Sequence, residues 1–134
     1  MMKTFYVGIK AIIHDDERGY LMLRHSSGWL DLPGGRMDDN ETFEETMKRE
    51  ISEELPGARL KNICELVGST RVMEDIDPGI SLVLLYYTAE VDLPDPIAIS
   101  DEHTEYMWIK SLDDIESSDE GSENIRIIKK LLTK

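Results

Sequence analysis

The spacing of apolar residues predicts strands near the start of the chain. Every second residue is apolar between Thr4 and Ile13, which is the period of a strand that buries one face. Turn-forming residues follow between Asp15 and Gly19, and a second strand is predicted from Tyr20 to Arg24. A short extended segment is predicted from Trp29 to Leu32.

The second half of the chain carries its most apolar segment, from Ile80 to Val91. The β-branched and aromatic residues of this segment favour a strand. The run from Leu82 to Tyr87 is apolar at every position, as expected of a strand that is buried on both faces, so we expect it at the centre of a sheet. Further strands are predicted over residues 59–70 and 106–109, with a loop over residues 73–79.

Two segments have the period of amphipathic helices. In the first, apolar residues recur every four positions, and Thr42 followed by Glu45 matches a capping box. Pro56 disfavours helical geometry at the residue before it, so this helix is predicted from Thr42 to Leu55. A second helix is predicted from Asn124 to Leu132. The apolar residues of the first helix are Phe43, Met47, Ile51 and Leu55. Separated helices among several strands indicate an α/β fold with helices layered on a mixed sheet.

The first predicted helix also carries a cluster of acids. Glu50, Glu53 and Glu54 stand at positions i, i+3 and i+4, so they share one helix face, where their charges repel unless a cation lies between them. Oxygen ligands without a nearby His or Cys indicate Mg²⁺, with Mn²⁺ as a substitute, rather than Zn²⁺. Because Mg²⁺ held by few carboxylates completes its shell with water and phosphates, a phosphate-bearing substrate is expected.

The segment from Gly35 to Glu54 resembles the Nudix box, which reads as a glycine, five residues, a glutamate, seven residues and then Arg-Glu-aliphatic-X-Glu-Glu-X-Gly and an aliphatic residue. Gly35 and Glu41 match the first fixed positions, and residues 49–54 match the core. The preceding Leu-Pro-Gly-Gly is a further family-like feature. The end departs from the pattern, because Pro56 and Gly57 stand where the family has Gly and an aliphatic residue. Gly57 is expected to supply the left-handed position that closes the helix.

This resemblance implies a Nudix-type α/β/α sandwich, with a mixed sheet between helices and a single domain over residues 1–134. It implies an enzyme that hydrolyses a nucleoside diphosphate linked to another moiety. By the same resemblance, Glu50, Glu53 and Glu54 bind the divalent metal. Glu41 and Arg49 are expected to form a salt bridge that braces the loop and the helix.

A carboxylate must accept a proton from the attacking water in such a reaction. In some members of the family the base is a box glutamate, which here would be Glu53 or Glu54. In others it is a glutamate on a later loop, which Glu102 resembles because it stands six residues before Trp108. Glu105 is the competing candidate on that loop.

Substrate contacts are expected around the glycine turn. Trp29 is the best candidate to stack on a base, because it lies just before the Leu-Pro-Gly-Gly segment that contains Gly34 and Gly35. Arg24, Arg36 and Arg71 could contact phosphates, although a surface position is commoner for arginine. His25 and His103 could assist proton transfer near neutral pH, although a solvated position is again the commoner one.

Composition narrows the setting of the protein. The 134 residues suit one domain, and the net charge of −13 argues against binding a nucleic-acid polymer, which requires Lys and Arg. No apolar run approaches the length of a membrane span. The single cysteine, Cys64, cannot form an internal disulfide, so a reducing cytoplasm is the expected location. The family resemblance makes a homodimer a reasonable expectation.

Three functions remain open at this point. The first is Mg²⁺-dependent hydrolysis of a small nucleotide, with nucleoside triphosphates favoured because the chain is compact and shows no added substrate domain. The second is hydrolysis of ADP-ribose, nucleotide sugars or dinucleoside polyphosphates. The third is a Nudix-fold sensor that binds a nucleotide without hydrolysing it, although the retention of every box carboxylate argues against that class.

Overall fold

The computed structural model describes residues 1–134 and contains eight strands and two helices. The helices are α1 (Phe43–Glu54) and α2 (Glu123–Leu132), and two short 3₁₀ turns precede α2 at Leu112–Asp114 and Ser117–Asp119. The strands are β1 (Thr4–Ile12), β2 (His14–Asp15), β3 (Gly19–His25), β4 (Leu30–Asp31), β5 (Gly34–Arg36), β6 (Arg59–Asp77), β7 (Ile80–Asp92) and β8 (His103–Ile109).

The strands form two sheets. The first has the order β5-β1-β7-β6, and it is mixed because β1 and β7 are parallel while the other pairs are antiparallel. In the second sheet, β3 pairs antiparallel with β2, β4 and β8. The predicted mixed sheet is therefore present, and the remaining strands form a second, antiparallel sheet beside it.

Each of the two helices covers a core of its own. Alternate residues of β1 point to opposite sides, so Ile9 packs with Met47 and Ile51 of α1, whereas Ile12 packs with residues of α2 such as Ile125 and Ile128. The strands thus lie between two helical layers. This arrangement confirms the α/β/α sandwich.

Local chemistry explains the bounds of α1. The Thr42 side chain accepts from the backbone N–H of Glu45, and the Glu45 side chain accepts from the backbone N–H of Thr42, which confirms the capping box. After Leu55 the chain leaves the helix through Gly57, whose φ of +88° is the left-handed conformation expected for it. Phe43 was expected in the buried stripe but is exposed, because it lies in the first turn at the margin of the core, where its ring meets only the partly buried Tyr87.

Two predictions about the strands are wrong in part. β6 continues to Asp77 through most of the segment predicted as a loop, because Asp77 still pairs with Ile80 of β7 after an irregularity that follows Val72, and Pro78 and Gly79 form the turn. β7 is an inner strand, as predicted, but Leu82 and Leu84 are only partly buried. They line an open cleft, and because Leu84 and Tyr86 on the same face pack against the α2 core, α2 covers that face only in part. No helix in the structure combines the length and apolarity needed to cross a membrane.

Candidate active site

The glycine turn brings its backbone against the first strand and the end of α1. β5 pairs with β1, with Ile9 opposite Gly35. Gly34 has a φ of +138°, and a Cβ there would lie 2.1 Å from the carbonyl oxygen of Ile9. A Cβ on Gly35 would lie 2.5 Å from the carboxyl group of Glu50. Both positions therefore need glycine, the first for the backbone and the second for the space that the Glu50 carboxyl occupies.

The three box glutamates differ in exposure. The side chain of Glu54 is 3% exposed and accepts a 2.8 Å hydrogen bond from the backbone N–H of Gly34. The Glu50 side chain is 15% exposed, and its carboxyl group lies against Gly35, the next residue of the same turn. Glu53 lies on the outer rim, with its side chain 59% exposed. The structure therefore brings Glu50 and Glu54 together and leaves Glu53 beside them in solvent.

Burial disfavours the ionised forms of the Glu50 and Glu54 carboxyl groups. Burial raises the pKa of Glu54, the Asp31 and Glu50 charges raise it further, and the Lys10 ammonium opposes the rise. Burial, followed by the charge of Glu53, also raises the pKa of Glu50, although Arg49 lowers it. Adjacent buried carboxylates are stable when a proton or a cation lies between them. The oxygen-rich donor set thus fits a hard divalent cation. Glu50 and Glu54 could hold such a cation, and Glu53 could contact it from the rim.

Arg49 connects the loop before α1 to the acidic cluster. Its guanidinium donates to Glu41 through Nε at 2.8 Å and through Nη2 at 3.0 Å, and to Glu50 through Nη1 at 2.8 Å. It also donates to the Arg36 carbonyl oxygen at 3.0 Å. Glu41 accepts further hydrogen bonds from the Asp38 backbone and the Thr46 hydroxyl. The Arg49 guanidinium is the main reason that the pKa of Glu41 falls to about 2. This geometry favours the bracing role expected for Glu41 and Arg49.

A buried ionic network that the sequence did not reveal lies beneath the box. Lys10 donates to Asp31 Oδ1 at 3.0 Å, and Asp31 Oδ2 lies 3.1 Å from His103 Nε2. Nε2 is also 3.7 Å from Glu54 Oε1. Asp31, Glu54 and His103 together offer three candidate metal-ligand atoms, all within 4.8 Å of one another. His103 was expected to be solvated more often than not, but its side chain is 0% exposed because β8 packs against β3 at that point.

A sequence signal for this network exists but is weak. Asp31 stands between Leu30 and Leu32, and Lys10 stands between Ile9 and Ala11. Strict alternation would place such charges on a solvated face. Here the side chains of Lys10 and Asp31 line the open cleft but are only 12% and 10% exposed, so these charges must find partners.

Beside the box lies a cleft of about 390 Å³ that combines several of the expected substrate contacts. Gly34, Gly35, Arg36 and Glu50 form one side, and Trp29, His25 and Glu102 line the cleft with them. The rings of Trp29 and His25 stack 3.8 Å apart, and Trp29 remains half exposed. Glu102 is exposed, and its carboxylate lies 4.0 Å from His25 Nε2. The cleft therefore places the carboxyl groups of Glu50 and Glu102 close to the aromatic rings of Trp29 and His25.

Three residues proposed from the sequence lie elsewhere. Arg24 forms a two-pronged ion pair with Asp119 at 2.8 and 3.1 Å, so its guanidinium is not free for a phosphate in the cleft. Arg71 lies over the Phe5 ring, outside the cleft lining. Glu105 is exposed on β8 and does not line the cleft, whereas Glu102 does.

Similarity to known proteins extends over nearly the whole chain. The family model described as NUDIX domain matches residues 4–131. The MutT NUDIX hydrolase from Burkholderia pseudomallei has 27% identity and a TM-score of 0.75, with 96% of this chain and 98% of that chain covered. The mutator MutT protein from Bacillus halodurans has 27% identity and a TM-score of 0.72, with 96% and 83% covered.

A third solved structure, the MutT protein from Methanosarcina mazei Go1, has 23% identity and a TM-score of 0.74, with 99% of this chain and 96% of that chain covered. At this identity the likeness shows the fold alone. No curated protein matches the chain.

Proposed function

The chain belongs to the Nudix hydrolase superfamily, and from that premise we propose that it hydrolyses a pyrophosphate linkage in a nucleoside triphosphate with the help of Mg²⁺. Membership implies a pyrophosphohydrolase acting on nucleotide derivatives. The observation that supports the finer proposal is the meeting of Glu50 and Glu54 at the glycine turn, beside a cleft that suits one small nucleotide.

The metal site consists of Glu50, Glu53 and Glu54. Glu50 and Glu54 supply oxygens from the interior, and Glu53 supplies an oxygen from the rim where substrate phosphates enter. When bound, Mg²⁺ neutralises charge on phosphoryl oxygens and holds the reacting groups in line. Mn²⁺, which prefers similar ligands, is the expected substitute.

Glu102 is the candidate base that the cleft favours most. Its carboxylate is exposed on the cleft wall and has no Lys or Arg partner within ion-pair distance, so it is free to accept a proton from water. Glu53 is the alternative, because it too is exposed, although it lies 3.6 Å from Arg49. Glu54 is the least accessible of the three, since Gly34 and the buried network already hold its carboxyl group.

We assign recognition of the base of the nucleotide to the cleft wall that carries Trp29, away from the box glutamates. Trp29 offers an aromatic surface there, with Leu82 and Leu84 as apolar neighbours. Asn124 also lines the cleft, where its side chain donates to the Leu30 carbonyl oxygen at 2.9 Å. On the acidic side, Arg36 and the backbone of Gly34 and Gly35 lie where phosphates would approach.

The size of the cleft favours a single nucleotide. Its volume of about 390 Å³ lies near the lower end of the range for ligand pockets, which is roughly 300–1,000 Å³. ADP-ribose, nucleotide sugars and dinucleoside polyphosphates each carry a second sugar or nucleoside that would extend beyond these walls. We therefore rank these compounds second.

We also propose that residues 1–134 form one domain, because the same strands contribute residues to both cores.

The decisive experiment is a panel of nucleoside triphosphates, ADP-ribose, nucleotide sugars and dinucleoside polyphosphates, each with Mg²⁺ and with Mn²⁺. Products are identified by mass after reaction in ¹⁸O-labelled water, which reveals the phosphorus that is attacked. We expect turnover of triphosphates that stops when EDTA is added. Binding without turnover for every compound would support the sensor function instead.

Three variants test the assigned carboxylates. Glu54→Gln and Glu53→Gln should remove most turnover, and Glu102→Gln should lower it by roughly 10²–10⁴-fold if Glu102 is the base. The matched control is Glu44→Gln, which changes an exposed acid on the same helix. Unchanged turnover in all three variants would defeat the scheme.

A further inference from the structure

One buried histidine, His103, lies against both Asp31 and Glu54 but has no role in the proposed reaction. His103 is the first residue of β8 and directly follows Glu102. Its Nε2 lies 3.1 Å from Asp31 Oδ2 and 3.7 Å from Glu54 Oε1. Its Nδ1 is buried and has no hydrogen-bond partner.

The surroundings of Nε2 fix which ring nitrogen carries the proton. Asp31 already accepts from Lys10 Nζ at 3.0 Å and from the backbone N–H of Leu32 at 2.9 Å, as an ionised carboxylate does. Both of these bonds go to Oδ1, and the Oδ2 atom of the same carboxylate, which faces the ring, accepts from the Nε2–H.

The backbone around His103 ties the same elements together. The N–H of His103 donates to the Ser100 carbonyl oxygen at 3.1 Å, and the N–H of Ser100 donates to the Glu54 carbonyl oxygen at 3.0 Å. The segment that carries Glu102 is therefore attached to the last turn of α1. The His103 ring also lies against the carboxyl group of Glu54, with 3.7 Å between Nε2 and Oε1, which is longer than a hydrogen bond.

We propose that His103 is a positioning residue: Asp31 holds its ring through Nε2–H, and the ring lies 3.7 Å from the Glu54 carboxyl and keeps that carboxyl directed toward the metal. The proposal deepens the proposed function and rests on it, because Glu54 is a metal ligand only within that scheme. Lys10 and Asp31 serve as the rigid base of the arrangement. The ring itself touches neither substrate nor metal.

The test compares two substitutions at one position. His103→Gln keeps an N–H donor close to the place of Nε2, whereas His103→Leu removes it with similar bulk. The measurement is Mn²⁺ affinity without nucleotide, followed by the electron paramagnetic resonance signal of free Mn²⁺, with circular dichroism to check folding. His14→Leu, the same change at an exposed histidine, is the control.

We expect His103→Leu to weaken Mn²⁺ binding by roughly 10–100-fold, as loss of an outer-shell partner does, and His103→Gln to stay within about threefold of the parent protein. Equal weakening in both variants would mean that bulk and not the donor matters, and would overturn the proposal. Parent-like affinity in a folded His103→Leu protein would overturn it as well.

A control on Glu54 separates this proposal from the one it rests on. If Glu54→Gln weakens Mn²⁺ binding and His103→Leu does not, only the role of His103 fails. If the parent protein binds no Mn²⁺, or Glu54→Gln binds it equally well, the metal site and the role of His103 fail together.

A measurement on the parent protein covers the case in which His103→Leu does not fold. Nitrogen-15 spectra of the imidazole groups should show His103 as the Nε2–H tautomer, identified by its absence in His103→Gln. An Nδ1–H tautomer would overturn the proposal.

Discussion

The Glu54 carboxylate accepts a 2.8 Å hydrogen bond from the backbone N–H of Gly34, twenty residues earlier in the chain. This contact places the end of α1 directly against the glycine turn. It also directs one carboxyl oxygen toward the turn while the other faces His103. The acidic helix and the turn therefore form one structural unit, and changes at either should affect metal binding.

The two glycines of the turn should respond differently to alanine. At Gly35 a Cβ meets only the carboxyl end of Glu50, which can move, so Gly35→Ala should weaken Mn²⁺ binding by at least about tenfold with little loss of stability. At Gly34 a Cβ meets the Ile9 backbone at a positive φ, so Gly34→Ala should cost on the order of 1–3 kcal/mol of stability. Thermal unfolding and Mn²⁺ titration distinguish the two effects.

Gly121→Ala is the control for both changes, because a Cβ there meets open space. A Gly35→Ala protein with parent-like Mn²⁺ affinity would contradict the assigned position of Glu50.

Replacing the buried Glu54 should stabilise the metal-free protein at neutral pH. Because burial raises the pKa of Glu54 in the folded state, its contribution to stability is full below the unfolded value, about 4.5, and is lost as the pH rises through the folded value. Glu54→Gln removes this loss and should raise the free energy of unfolding at pH 8 by on the order of 1–3 kcal/mol.

The measurement for Glu54→Gln is denaturant unfolding in EDTA at pH 5 and at pH 8. The gain should be present at pH 8 and small at pH 5. Added Mg²⁺ should narrow the difference in free energy of unfolding between Glu54→Gln and the parent protein, because the parent protein keeps the Glu54 carboxylate that binds the ion. A variant less stable than the parent protein at pH 8 would show that the ionised carboxyl is well accommodated without metal.

Arg49→Ala should lower stability more than it alters metal affinity. The substitution removes hydrogen bonds to Glu41, Glu50 and the Arg36 carbonyl, and bonds to charged groups of this kind contribute about 1.5–3 kcal/mol each at most. We expect a loss on the order of 2 kcal/mol and a change of less than about fivefold in Mn²⁺ affinity. Lys48→Ala, at an exposed neighbour, is the control. The opposite order of effects would make Arg49 part of the metal site.

Glu41 should give the protein a distinct sensitivity to acid. Its folded pKa of about 2, set mainly by Arg49, lies below the ordinary value of 4.5. The stability it contributes is therefore present above about pH 4.5 and is lost as the pH falls toward 2. Between these limits the parent protein should lose more stability than Glu41→Gln does. Parallel curves for the two proteins in acid titrations of unfolding would contradict this expectation.

Substitutions at Trp29 and Arg24 should have different effects, the first on substrate binding and the second on stability. Trp29→Ala removes an aromatic wall of the cleft and should raise KM for the nucleotide by roughly 5–150-fold, as loss of one base–aromatic stack does. Arg24→Ala breaks the ion pair with Asp119 and should lower stability while leaving KM within about twofold. Steady-state kinetics and thermal unfolding test the pair. A large KM effect at Arg24 would return it to the substrate site.

Local spacing accounts for the elements that the sequence predicted well. The alternation in β1, the capping box at Thr42 and the four-residue period of α1 each involve residues that are close along the chain. Errors arose where long-range contacts decided. β6 extends to Asp77 because β7 supplies hydrogen bonds along it, and Leu82 and Leu84 are only partly buried because α2 covers their face of β7 only in part.

The sequence by itself determined the family, the sandwich and the glutamate cluster, because the box is contiguous and a helix of fixed period brings its acids onto one face. Only the tertiary structure decided that Glu54 is buried while Glu53 is exposed, and that Lys10, Asp31 and His103 lie beneath them. These three residues come from three separate strands, whose approach depends on sheet register and on helix packing, so no local pattern could reveal their contact.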